Sequence, residues 1–414
     1  MGPIGPKNLQ KLRGKPRPDS VAGVTEPHFG DYYREIYARG TFADEKPELP
    51  TSWEELELRA AEALDPVAEA YVYGGAGSED TMDANRAAFR RWRIAPRMLR
   101  DVSQRDLSTT VLGTQMPAPL LLAPIGVQTI VHADGELASA RAAAALGVPL
   151  VTSTASSTAM EEIAEANGDG PRWYQLYWPN DDEIAASLVG RAEECGYAAI
   201  VVTVDNFIPG WKPRDLREAK LPFLEGVGIA QYLSDPVFRA ALEKSPDEDL
   251  GAAIGHFLAV FSRATLTWDD IAWLRERTSL PIVLKGILRP DDARRALERG
   301  VDGIVVSNHG GRQVDGAIAS LDALPAIVEE VGDRLAVMLD SGVRSGADAF
   351  KALALGAHAV LIGRPYLWGL AIGGQSGVET VLRMLLAELD LTIALSGHTR
   401  PAEINRDALV RAPG

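Results

Sequence analysis

Between Asp302 and Gly316, an apolar run from Ile304 to Val306 breaks abruptly into Ser307, Asn308, His309, Gly310, Gly311 and Arg312. A short β-branched run that ends in polar residues and paired glycines reads as a buried strand opening into a loop. The chemistry on offer is proton abstraction. His309 is a base whose charge changes near neutral pH, and Arg312, three positions on, is a fixed fork of donors that suits a carboxylate. A lone histidine at a strand end is commonly structural, so the order of the whole run is what marks the site.

The elements that position this run follow a regular alternation. Strands are predicted at Leu120–Ala123, Leu150–Ser153, Trp173–Tyr177, Ala199–Val204, Ile282–Lys285, Gly303–Ser307, Ala336–Asp340 and Ala359–Gly363, each followed by a helix-period segment. Two units echo each other, Arg289 to Gly303 and Arg344 to Ala359, as helix, glycine, strand in one frame. Alternation of this kind implies parallel pairing, and eight units in about 250 residues is the count of a closed (β/α)8 barrel. The rhythm breaks once, at about 215–267, where only short helical patterns occur, at Pro236–Leu242 and Gly251–Phe261. A long connection leaving the fourth strand is expected to act as a lid loop over the barrel mouth.

Upstream, the capping pattern Thr51-Ser52-Trp53-Glu54-Glu55 starts a helix that should stop near Pro66, and Tyr71 and Tyr73 then lead into a glycine turn. This is an N-terminal helical extension to the barrel. Residues 1–27, rich in Pro, Gly, Lys and Arg, are expected to form a flexible tail, leaving 28–414 as one domain. The 414 residues carry a net charge of -15, which argues against a nucleic-acid surface. The single cysteine, Cys195, allows no internal disulfide and fits a reducing compartment. No stretch is long and apolar enough for a membrane span or secretory signal, so a cytoplasmic location without membrane partners is expected, and no metal site is predicted.

In such a barrel, functional groups gather at the C-terminal strand ends. Here those ends carry Ser153, Gln175, Tyr177, Thr203, Asp205, Lys285, His309, Arg312, Asp340 and Arg364. Loops after the last two strands commonly bind phosphate, and Asp340-Ser341-Gly342-Val343-Arg344 and Gly363-Arg364 stand there with glycines for close approach and arginines for charge. A phosphate-bearing ligand is expected.

The run Ser307 to Gln313, the segment Thr81 to Phe89 and these strand ends together resemble the FMN-dependent L-2-hydroxy acid oxidase and dehydrogenase family, from about Tyr71 to the last barrel helix. The resemblance implies FMN. It sets Pro124, Ile125, Gly126, Ser153, Gln175, Thr203, Lys285 and Ser307 around the ring system, and Asp340, Gly342, Arg344, Gly363 and Arg364 at the ribityl phosphate. Lys285 also has a rationale of its own, since a cation beside the ring stabilises the anionic reduced flavin. His309 is then the base, Asp205 the carboxylate that stabilises the imidazolium, Arg312 the carboxylate grip, and Tyr177 and Tyr71 donors to the substrate.

Two positions depart from the family pattern. Lys212 stands where a second carboxylate-binding arginine is usual, keeping the charge without the fork, with Arg214 as an alternative. Ala155 replaces an aromatic wall residue, which leaves room for a larger substrate. Within the family, Gly126, the run Gly210-Trp211-Lys212-Pro213-Arg214-Asp215 and the loop with Tyr232 to Phe238 are most similar to the lactate 2-monooxygenase branch. That branch implies oxidation of L-lactate with O2 to acetate, CO2 and water. Release of the 2-keto acid with H2O2, transfer to another electron acceptor, and a non-catalytic FMN- or phosphate-binding barrel remain the alternatives. The resemblance also implies a homo-tetramer or octamer.

Overall fold

The computed structural model describes residues 28–412, so the expected tail at 1–27 lies outside the described residues. Eight parallel strands close in chain order into a barrel: β1 Leu120–Leu122, β2 Leu150–Ser153, β3 Arg172–Leu176, β4 Ile200–Thr203, β5 Ile282–Ile287, β6 Gly303–Val306, β7 Ala336–Leu339 and β8 Ala359–Ile362. Each was legible as a continuous apolar run because a parallel strand is buried on both faces. Inward-facing Leu121, Val151, Trp173, Val201, Val283, Val305, Met338 and Leu361 form one cluster that fills the barrel. Their alternate neighbours, such as Leu120, Leu122, Tyr174 and Val202, join the larger cluster under the surrounding helices. A hairpin, Thr109–Val111 with Thr114–Met116, adds Val111 and Met116 to the interior cluster, and Thr114 Oγ1 accepts the buried Trp173 indole N–H at 2.8 Å. The β5–β6 register slips between Lys285 and Ile287, at Gly286. Bulges of this kind re-aim side chains beside functional sites.

The N-terminal extension holds more helix than the sequence reading gave it, beginning with Tyr32–Ala43. The helix Trp53–Ala63 ends before Pro66, as expected, but Pro66 itself opens another helix, Pro66–Tyr73. Proline suits a first helical turn because its missing N–H has no intrahelical partner there, and Asp65 completes the cap by accepting from Val67 and Ala68 N–H. Tyr71 is therefore a helical residue held against the barrel mouth.

The long connection after β4 folds into short helices at Pro213–Glu218, Ala230–Leu233, Pro236–Ala240 and Leu250–Val260. Ile229, Tyr232, Phe238 and Phe257 are fully buried, with the Tyr232 and Phe257 ring centroids 4.9 Å apart. The connection thus roofs the mouth as a packed layer. Arg191 bolts that layer to the barrel helices: it donates to Gln231 O, Ser234 Oγ and Asp235 Oδ2 in the roof, and as a fork to Glu161. Arg191→Ala leaves the fully buried Asp235 carboxylate without its cation. The expected loss is about 3–5 kcal/mol of unfolding free energy, measured by urea titration; a change below about 1 kcal/mol would show that the bolt contributes no more than an exposed ion pair.

Candidate active site

The site begins with the C-terminal end of the helix Pro66–Tyr73. The last carbonyls of a helix have no intrahelical donor, and its end carries partial negative charge. Two guanidinium groups supply what is missing. Arg312, in the loop after β6, donates to Tyr71 O and Gly74 O at 2.6 Å each. Arg364, directly after β8, donates to Val72 O at 2.8 Å, Gly74 O at 3.1 Å and Gly310 O at 3.0 Å. The same contacts lay the Tyr71 ring beneath Arg312, 5.0 Å from ring centroid to guanidinium carbon. One helix end therefore fixes the tyrosine and both arginines together.

The loop after β6 is held as firmly. Asn308 and Asn85 exchange amide hydrogen bonds at 2.8 Å. Ser307 Oγ accepts from His309 N, and Ser341 Oγ accepts from Gly310 N. His309 itself adopts φ 57°, a left-handed conformation uncommon outside glycine, and it presents the ring to the mouth. Its Nδ1 lies 2.8 Å from Asp205 Oδ1, just beyond β4. With Nδ1–H donating to that carboxylate, Nε2 is the lone pair left to accept a proton. Burial, together with the cations Lys285 and Arg312, lowers the imidazole's proton affinity against the opposing pull of Asp205. Burial alone would raise the Asp205 pKa, but His309 and Lys285 outweigh it and hold the carboxyl below its usual range. The result is a neutral base backed by an anion. Gly286, at the β5 bulge, makes room for that anion: with φ 116°, any Cβ there would fall 2.7 Å from Asp205 Cβ.

A cavity at the strand ends runs from Tyr177, Lys285 and His309 past Ala123, Pro124, Ile125 and Gly126 to Gly342, Arg344, Gly363 and Arg364. At its far end, Arg344 and Arg364 have no carboxylate partner among the described residues; they donate to backbone carbonyls, and Arg344 stacks 5.3 Å over Trp368. Burial, with repulsion from Arg86 at Arg344 and from Arg344 and Arg312 at Arg364, brings their pKa values down to about 10 and about 9. Two buried cationic forks beside glycine-lined backbone suit a phosphomonoester. At the other end, Lys285 lies 3.2 Å from Asp340, and although burial opposes its charge, Asp340 and Asp205 push its pKa to about 12. Gln175, at the end of β3, takes Ser153 Oγ–H on its oxygen while its buried Nε2 has no acceptor among the described residues, leaving a donor for a ring heteroatom. Thr203 pairs in register with Lys285, whose Nζ donates to Ser307 Oγ. The donor set fits FMN, with the phosphate toward the arginines and the ring toward Lys285. Asp340 is the exception within the expected phosphate set. Its carboxylate sits on Lys285 and Ser341 Oγ, where it fixes the lysine; beside a phosphate it would repel.

A second cavity adjoins the first through Tyr71, Tyr177, Gly126, His309 and Arg312, and Lys212 lines it. Arg214 does not substitute for Lys212, because it is taken up by Glu69 and Glu79 outside this cavity. Sequence reasoning missed three further groups. Asp215 Oδ2 stands 3.5 Å from Arg312. Gln313 Nε2 donates to Asp205 O at 2.7 Å and Ile208 O at 3.1 Å while its Oε1 accepts from Gly210 N, tying the β4 loop to the β6 loop. Ser341 is the third, and only its φ of 74° in a loop already singled out hints at its part.

Burial and the neighbouring Arg312 lower the Lys212 pKa to about 8, against the pull of Asp215. Lys212 is thus cationic below that value and loses its charge as pH rises through it. Binding of a small carboxylate anion, followed by calorimetry, should weaken as pH passes about 8, and Lys212→Met should weaken it about 10- to 100-fold at pH near 7 while flattening this dependence. Unchanged affinity in Lys212→Met would remove the lysine from the carboxylate grip.

Comparison with known proteins agrees with this geometry. The family model described as FMN-dependent dehydrogenase matches residues 60–411. An FMN-dependent alpha-hydroxy acid dehydrogenase of Penicillium citrinum is 47% identical over 93% of this chain and 96% of its own length. An L-lactate oxidase of Lysinibacillus sphaericus is 46% identical over 88% and 94%, and human 2-hydroxyacid oxidase 1 is 44% identical over 83% and 92%. A crystal structure of mandelate oxidase superposes with a TM-score of 0.78 at 40% identity, covering 88% of this chain and 99% of the other. The chain belongs to the FMN-dependent dehydrogenase family and is an FMN-dependent oxidoreductase.

Proposed function

We propose that this chain oxidises L-2-hydroxy acids and that dioxygen is the final electron acceptor. The observation that carries the reading is a half-buried imidazole, 2.8 Å from Asp205, at the junction of the FMN cavity and a cavity lined by Arg312 and Lys212. FMN, when bound, supplies the two-electron acceptor and the reactivity with oxygen. Arg312 and Lys212 orient the substrate carboxylate. Burial keeps the Tyr71 and Tyr177 hydroxyls protonated, so they donate to the substrate oxygens. His309 Nε2 takes the hydroxyl or α proton, and Asp205 stabilises the imidazolium that results. Lys285 adds positive charge where negative charge develops on the cofactor side.

The relatives named L-lactate oxidase and 2-hydroxyacid oxidase support this substrate class, and L-lactate has the carboxylate and hydroxyl that these groups require. The packed roof over the mouth supports slow exit of the keto acid and hence the monooxygenase outcome, acetate with CO2 and water. The oxidase outcome, free keto acid with H2O2, is the second reading and is favoured by the names of those relatives.

In anaerobic mixing, L-lactate should bleach the yellow of the FMN-loaded enzyme and D-lactate should leave it unchanged. Bleaching by neither acid, or equally by both, would contradict the reading. Assay of acetate against peroxide in air then separates the two product outcomes.

A further inference from the structure

The cavity beside His309 extends well beyond the groups that meet a carboxylate and a hydroxyl. It has a volume of about 280 Å³. An apolar cavity of about 150 Å³ is enough to take up a benzene ring. The inner charges, Lys212 and Arg312, gather at the His309 end; Asp215, Glu218 and Lys220 are the other ionisable groups that line it. Asn206 and Ser262 add polar atoms, and the rest of the wall is largely apolar, with Ala155 and Gly126 as its floor and Leu221, Phe223, Leu258 and Phe261 of the roof lining it as well.

The floor is low because the backbone itself lies there. A Cβ on Gly126 would fall 2.4 Å from Ala155 O, so neither residue extends a side chain of any size toward the roof. The roof is preformed. Phe223 packs on Phe257 and Phe261 at 5.5 and 5.3 Å, Phe261 meets the Tyr177 ring edge-on at 5.6 Å, and Phe257 rests on the fully buried Tyr232. A methyl side chain would leave most of this apolar wall wetted. A ring-bearing side chain would dry it without ordering any new segment.

We infer that the Ala155 floor and the Phe223–Leu258–Phe261 roof form a side-chain subsite that selects L-2-hydroxy acids with a bulky apolar, ring-bearing side chain over lactate. The inference rests on the site reading proposed above and specifies its substrate. In a hydrophobic pocket each additional methylene is worth about 10- to 200-fold in kcat/KM, so even partial filling of the subsite gives at least about a tenfold preference.

The test compares L-3-phenyllactate with L-lactate on the FMN-loaded enzyme. The expected kcat/KM is at least about tenfold higher for phenyllactate. Phenylpyruvate should also bind at least about tenfold more tightly than pyruvate by calorimetry, a readout independent of turnover. Ala155→Trp, and separately Leu258→Trp at the roof, fill the space from opposite sides, and each should bring both ratios toward or below one in protein that retains its flavin colour. Equal or better use of lactate, or ratios unmoved by both substitutions, would overturn the subsite while leaving the proposed oxidation intact. Failure of both acids to bleach the flavin would overturn the oxidation reading and the subsite with it.

Discussion

A carboxylate 2.8 Å from a half-buried imidazole is the interaction on which this structure depends. Burying a histidine makes it a poorer base, because its charged form loses hydration. Asp205 offsets that loss by stabilising the imidazolium, and it orients the ring by taking the Nδ1 proton. The local folding decisions around the mouth serve this pair. The β5 bulge places a glycine where a side chain would displace Asp205, Gln313 grips the main chain of Asp205 from the loop that carries His309, and Ser307 and Ser341 hold that loop in its left-handed turn.

The charges around the pair show a division of labour that follows from their partners. Lys285 has Asp340 and stays cationic in spite of burial. Arg344 and Arg364 have carbonyls, the Trp368 ring and Met82 Sδ but no carboxylate among the described residues, so their charges are stabilised incompletely until an anion lies against them. Arg312 is intermediate, pinned by two carbonyls of a helix end and 3.5 Å from Asp215. Since a helix C-terminus attracts cations, the extension Pro66–Tyr73 does more than cover the barrel. It sets the spacing between Arg364, in the first cavity, and Arg312, which lines both cavities.

Much of this was legible in the sequence. The eight strands announced themselves because strands covered on both faces cannot alternate, and the residues at their ends stood out as polar interruptions of apolar runs. His309, Arg312, Asp205 and Lys285 were readable for that reason. What escaped notice depends on contacts between distant parts of the chain. Arg364 meets the carbonyl of Val72 across 292 positions, and Arg191 meets the roof across more than 40, and neither partner carries a local signal. The stop near Pro66 was legible, but the helix that Pro66 opens was not, because proline marks the start of one helix and the end of another with the same residue. Asp340 was grouped with the phosphate by its loop, whereas its partner is the lysine two strands away.

The base assignment is the claim that everything else serves, and the rate of flavin reduction reports on it directly. With His309→Ala purified in its yellow, FMN-bound form and mixed anaerobically with a saturating L-2-hydroxy acid, the account predicts a reduction rate constant about 10²- to 10⁴-fold below that of the unaltered chain. Reduction at an undiminished rate would show that the proton leaves by another route.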